Sequence, residues 1–252
     1  MKIVVLRGAG GEHGTAALGN AEGRWVLINV SAAVAQRLGG GPSATPHPGL
    51  GDAEVRALVL TDATIEHVGG LLGLRDGAPI DLYATPAVFE ELTSALPVLP
   101  VLQHYCGVQW RVVPVAGDSR VARFAVDGLP ELEFTAIATR NPPPPHAAER
   151  RPAVVGDSIA LAVHDRSSGQ RVFCAPGLAR IGATEFAWMQ QADCVLVDAF
   201  AEAAEELAPS GFELLPQVAA RRKVVFGSPS SEWNKLAEMG IEAAYDGMEI
   251  EL

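Results

Sequence analysis

The order of its short apolar runs constrains this chain more than any other feature. Strand-like and helix-like runs alternate at both ends and enclose a middle third built of strands alone. Residues 2–6 read as a buried strand, 25–30 as a second strand, and 32–38 as a helix. Residues 39–51 are rich in Gly and Pro and form a loop. A strand over 55–60 ends at Thr61-Asp62, and a helical pattern runs from Ile65 through Leu74 until Gly77 stops it. Strand 80–84 and helix 86–95 follow, with Pro86 in the first turn. Runs 109–115, 121–126, 132–137, 160–165 and 172–175 are short and β-rich, as in a largely antiparallel sheet. Then come helix 183–191, strands 194–198 and 223–226, helix 231–239 and strand 243–245. One domain over 1–252, with two packed sheets and outer helices, accounts for this order.

Composition narrows the function classes. No apolar run approaches the roughly 18–20 residues needed to span a bilayer, and the start of the chain lacks the pattern of a secretory leader. Cys106, Cys174 and Cys194 are odd in number and form no CxxC pair, which fits a reducing cytoplasm and argues against a disulfide framework. The net charge of −11 disfavours nucleic acid and anionic membranes as partners.

Two stretches invite a chemical reading. Gly8-Ala9-Gly10-Gly11 follows the first strand, but His13 stands where a dinucleotide fingerprint needs glycine, and no acidic residue closes the second strand. A tight turn is the better reading. Thr61-Asp62-Ala63-Thr64-Ile65-Glu66-His67 is a polar cluster at the end of a buried strand, running into a helix, where α/β proteins build sites. The plain alternative is helix capping, with Asp62 or Thr64 accepting from free first-turn N–H groups and Glu66 at the positive end of the helix.

From Leu60 to Gly77 the chain resembles the pyrroloquinoline quinone (PQQ) biosynthesis protein B family, whose corresponding stretch reads LTDAEIDHTAGLLSLREG. Arg24–Asn29 (RWVLIN) is similar to that family's second strand, Tyr83-Ala84-Thr85-Pro86 to its YATP, and Gly156–Leu161 (GDSIAL) to its GDTIGL. Ala244–Ile250 (AYDGMEI) matches its C-terminal motif. These matches are in order and span nearly the whole chain. The resemblance implies a metallo-β-lactamase-like αββα four-layer sandwich. Enzymes of that fold bind metal through HxHxDH, a later His, a bridging Asp and a last His. Here that window falls on Asp62–His67. Asp62 and Thr64 stand at the two leading His positions, which the PQQ family also lacks, Glu66 at the Asp and His67 at the retained His. Asp198 falls at the bridging carboxylate.

The departures from the family are equally specific. Residues 8–20 contain no cysteine, so the family's N-terminal zinc cluster has no counterpart and no structural zinc is expected. No His occurs in 200–216, and none follows Lys223. Glu66, His67 and Asp198 remain as metal ligands, with His13 and His146 as possible additions. One His with two carboxylates would hold a single iron ion weakly and with little selectivity. Ser158 lacks the GxSxG elbow of a serine hydrolase. Cys174, Trp25 and Trp110 read as core and Trp233 as packing its own helix, while His47, His104 and His164 read as surface or loop residues.

The resemblance implies a role in making PQQ or a related peptide-derived natural product. The active form would be an iron-dependent oxygenase or hydroxylase acting on a tyrosine-derived or peptide intermediate. Glu66 and His67 would be its ligands, and Asp198 its ligand or proton acceptor. The rival reading is a metal-free pseudoenzyme that binds a small molecule or peptide, or pairs with a catalytic homologue. A homodimer is the other assembly the family suggests.

Overall fold

The computed structural model describes residues 1–6, 14–20, 22–38, 55, 57–148, 150–198, 214–227 and 233–252. The Gly8–Gly11 turn, His13, His47 and the expected zinc-free N-terminal loop lie outside them.

Two seven-stranded sheets carry the fold. The first contains β1 (Lys2–Leu6), β2 (Thr15–Gly19), β3 (Trp25–Ile28), β4 (Ala57–Val59), β5 (Ile80–Ala84), β6 (Val108–Val112) and the chain-terminal β14 (Glu249–Glu251), in the order β14-β1-β2-β3-β4-β5-β6. The second contains β7 (Val121–Ala125), β8 (Leu132–Ala138), β9 (Ile159–Asp165), β10 (Arg171–Ala175), β11 (Cys194–Asp198), β12 (Arg222–Phe226) and β13 (Glu242–Ala243), in the order β13-β12-β11-β10-β9-β8-β7. Each sheet is mixed. Strands β3 to β6 run parallel, as do β10 to β13, and the remaining neighbours are antiparallel.

Alternation along the strands explains the layering. In β1, Ile3 and Val5 point to the core between the sheets, while Val4 and Leu6 point to the outer layer, and all four are buried. In β11, Cys194 and Leu196 face inward, and Val195 and Val197 face the outer layer. A strand buried on both faces must be apolar at every position, and these runs are. Helices α1 (Ala32–Leu38), α2 (Ile65–Val68), α3 (Pro86–Thr93) and α4 (Val98–Leu102) cover the first sheet. After the short α5 (Pro145–Ala148), helices α6 (Ala183–Met189) and α7 (Trp233–Glu238) cover the second. This is the expected αββα sandwich.

Several sequence expectations need correction. The 109–115 run is not part of the antiparallel third, because β6 extends the first sheet parallel to β5. Thr15–Gly19 forms a strand that its small residues did not announce. The helix expected from Ile65 through Leu74 breaks into α2 and a 3₁₀ turn, Leu71–Leu74. Gly70 lies at the break, where an added Cβ would sit 2.4 Å from the Ser31 carbonyl oxygen. That close approach lets Val30 and His67, and Val30 and Gly70, exchange backbone hydrogen bonds at 2.8 and 3.0 Å. Trp233 is partly exposed, Trp25 is buried and Trp110 stacks on Phe89 with ring centroids 3.8 Å apart.

Candidate functional site

The parallel strands of both sheets end on one rim, and the polar residues collect there. By the alternation of β4, Ala57 and Val59 face inward and Leu58 and Leu60 outward, so Leu60 packs under the helices and Thr61 turns in. In β11 the same parity turns Asp198 inward. The sheets are tied at this rim by an antiparallel bridge between Asp62 and Ser158, with Ile159 N–H donating to the Thr61 carbonyl at 2.8 Å.

His67 is the centre of the cluster and is almost fully buried. Its Nδ1 lies 2.8 Å from both carboxylate oxygens of Asp62. An ionised carboxylate only accepts, so Nδ1 carries the proton and Nε2 is turned towards Asp198, 3.9 Å from Oδ2. Asp62 also accepts from the Thr64 N–H at 2.9 Å and the Thr64 hydroxyl at 2.7 Å. Thr64 is the residue capping α2, but its side chain makes no capping bond. Asp62 therefore braces the imidazole and the helix entry rather than the first turn.

The charges follow from this packing. Burial works against the His67 imidazolium, but the charge and hydrogen bond of Asp62, then the charges of Asp198 and Glu66, outweigh it and raise the pKa. Burial would raise Asp62, but His67 and the Thr64 hydrogen bonds lower it below its ordinary value.

Three residues that sequence reasoning missed hold the cluster in place. Asn29 has φ 62°, the left-handed region, and its side chain accepts from the Thr61 N–H at 2.9 Å and donates to the Thr61 hydroxyl at 2.8 Å. An Asn ending a strand just before a helix is the only hint of this in the sequence. Gly177 donates its N–H to Asp198 Oδ2 at 2.7 Å. Asn141 donates to the Gly177 carbonyl at 2.6 Å and the Ser158 hydroxyl at 3.0 Å, and accepts from the Ala179 N–H at 3.0 Å. A cleft of about 210 Å³ opens beside Asp62, Thr64 and Gly177, walled by Pro142–Pro145.

Residues 24–226 match the beta-lactamase superfamily domain. The coenzyme PQQ synthesis protein B of Cupriavidus necator is 37% identical to this chain, covering 90% of it and 83% of the relative. That of Pseudomonas aeruginosa is 34% identical, covering 91% and 84%. This chain belongs to the coenzyme PQQ synthesis protein B family. Among solved structures, zinc-bound PqqB from Methylobacterium extorquens superposes with a TM-score of 0.71 at 20% identity over the full length of both chains. Human tRNase Z, short form, superposes with 0.65 at 15% identity, covering 100% of this chain and 99% of that one, which speaks for the fold alone.

Of the three ligands expected from the PqqB resemblance, the structure brings His67 and Asp198 together and leaves Glu66 exposed. The reason is helical geometry. Neighbours on a helix point about 100° apart, so turning His67 into the core turns Glu66 out. Asp62, at the first His position of the fold's motif, spends its oxygens on His67 and Thr64. Among the described residues no group of three or more His, Cys, Asp or Glu side chains is placed to hold a metal ion. This donor set does not fit the metal that the fold family implies.

The remaining candidates fall outside the cleft. His146 Nε2 sits 3.7 Å from Glu91 Oε2, and His104 is exposed. Cys174 and Cys194 are buried free thiols; burial pushes both up, Cys194 to about 12, so neither is a nucleophile. No helix of the described residues is long and apolar enough to cross a membrane.

Proposed function

We propose that this protein acts in the biosynthesis of PQQ or of a related peptide-derived natural product. In this reading it is a metal-free member of its family that binds a small-molecule or peptide-derived ligand, or pairs with a catalytic homologue or a second copy of itself. Its family membership supports the pathway. The observation that carries the metal-free reading is the Asp62–His67 pair at 2.8 Å, in which a carboxylate from the motif's first ligand position holds the imidazole. The chain also lacks a His after Lys223. A core shared by both sheets supports one domain over 1–252, and three buried free cysteines suit the reducing cytoplasm.

The retained pair of His67 Nε2 and Asp198 favours a second reading, an oxygenase or hydroxylase with one weakly held iron ion on Glu66, His67 and Asp198. Bound iron would supply oxygen activation. This reading requires the exposed Glu66 carboxylate to turn inward. Calorimetric titration of the parent chain and of His67→Ala with iron(II), with thermal melts alongside, separates the two. The metal-free reading expects no saturable uptake by either protein. Stoichiometric iron in the parent, lost in a folded His67→Ala variant, would establish the iron site in its place.

A further inference from the structure

The outer face of the second sheet carries a hollow of about 210 Å³ at the end away from the His67 rim. Strand register builds it. Arg123, Thr135, Ala162 and Phe173 stand opposite one another across β7, β8, β9 and β10, and Glu133, His164 and Arg171 form the next row. Phe173 belongs to the outer core under α6, so by strand alternation both rows face outward. Thr135 and Ala162 are small, and the surface dips at them between Arg123 on the edge strand β7 and Trp188 near the end of α6. Arg171 opens β10, whose parallel neighbour β11 ends at Asp198, so the hollow and the His67 cleft lie at opposite ends of the sheet.

A single aromatic ring fits this space, since an engineered apolar cavity of about 150 Å³ holds benzene. Half-buried Trp188 offers the ring a flat wall to stack on, and buried Phe173 closes the floor. Positive charge flanks the hollow on both sides. Exposed Arg171 and half-buried His164 stand on one, and among the described residues neither side chain has an ion pair or a hydrogen bond. Exposed Arg123 stands on the other, where it meets Glu133 at 3.7 Å, a solvated pair that contributes little.

We infer that this hollow is the docking site for an extended, acidic segment of a partner protein that inserts one aromatic side chain. Arg123 and Arg171 spring from β7 and β10, which the order of the sheet sets about 14 Å apart. An extended chain puts every second side chain on one face, so carboxylates two residues either side of the ring also stand about 14 Å apart. A chain laid across the strands therefore seats the ring and reaches both guanidiniums, a distance that a free aromatic acid does not span. Docking here leaves the His67 cleft open. The site rests on the geometry of the sheet and not on the function proposed above.

Titration of the full chain with the peptide acetyl-Asp-Ser-Phe-Ser-Asp-amide, followed by NMR at the Trp188 indole N–H, tests this, with Trp188→Phe to assign the resonance. The peptide should bind saturably, with a Kd of about 1 mM, and more weakly as salt rises. Replacing its phenylalanine with alanine, or both aspartates with lysine, should weaken binding at least about tenfold. Ala162→Leu fills the hollow and should abolish binding. Arg171→Gln should weaken it about fivefold, while Arg111→Gln, on the first sheet, leaves it unchanged. No saturable shift at Trp188, equal binding of the lysine peptide, or folded Ala162→Leu and Arg171→Gln variants that bind like the parent would each overturn the assignment. Phenylacetate binding as tightly as the peptide would overturn it too, because the hollow would then take a free aromatic acid. None of these results bears on the iron titration, so the two readings fail separately.

Discussion

His67 and Arg151 are both basic side chains set between two carboxylates, and the contrast between them is one of titratable against permanent charge. Arg151 is held by both of its carboxylates at hydrogen-bond distance. It meets Asp157 at 2.6 and 2.9 Å and Glu91 at 2.8 and 2.9 Å, and the Val154 N–H adds a third tie to Asp157 at 2.7 Å. These bonds join the 139–158 connection to α3, and they hold the guanidinium pKa above its ordinary value. His67 meets Asp62 at 2.8 Å through Nδ1 and faces Asp198 at 3.9 Å through Nε2. A permanent charge with saturated partners can do nothing but hold. A titratable charge braced on one nitrogen and turned towards a carboxylate on the other can exchange a proton.

The largest effect should come from breaking the clamp. Asp157→Ala leaves Glu91 to balance Arg151 alone and removes the acceptor for Val154 N–H. Breaking a buried pair from one side costs ~3–5 kcal/mol, and the partial exposure of Arg151 places this case at about 3. Urea unfolding at pH 6 and pH 9 should show the same loss at both. A loss under about 1 kcal/mol would mean that the clamp does not hold the connection, and the contrast with His67 would collapse.

The two clusters were not equally visible in the sequence. The 60–67 stretch was legible because a polar run closing a buried strand is a local pattern, and Asp198 because the family resemblance sets it at the bridging carboxylate. The clamp was invisible, since Glu91 and Arg151 are 60 residues apart and neither sits in a motif. The same limit hid Asn141 and Gly177, whose roles exist only once β8 and β10 flank β9 in the second sheet. Orientation was the other gap. Adjacent Glu66 and His67 cannot both face inward from one helical turn, and sequence alone did not say which would. Sheet membership failed for β6 for a related reason: its residues fit either sheet, and only its parallel pairing with β5 decides.

A smaller effect should follow from crowding the His67 cluster. Gly177 has φ 77°, and a Cβ there would sit 2.8 Å from His67 Cε1 and 3.1 Å from Asp62 Oδ2. Gly169 has the same φ with nothing within 4 Å, so Gly169→Ala reports the backbone cost alone, about 1 kcal/mol. Gly177→Ala should cost about 2 kcal/mol and shift the imidazole resonances of His67 in the NMR spectrum. Equal losses in the two variants would show that the His67 ring has room to move and that Gly177 does not fix it.

The finest test is pH, because only one of the two clusters should respond to it near neutrality. His67 is raised above 6.5, so its contribution to stability is fully present below that value and is lost as pH rises through the folded-state pKa. Asp62 is lowered below 3.8, so its contribution is present above 3.8 and is lost as pH falls through its own folded-state value. The pair therefore stabilises most between about pH 4 and 6.5 and weakens on the alkaline side. Asp62→Asn keeps the shape but replaces a charged hydrogen bond with a neutral one, a loss of about 1.5 kcal/mol at pH 6. It also removes the main attraction raising His67, so the variant should lose less stability than the parent between pH 6 and pH 9. The two stability curves should converge as pH rises. Curves that stay parallel would mean that His67 is neutral throughout, and the imidazole would then be held by shape rather than by charge.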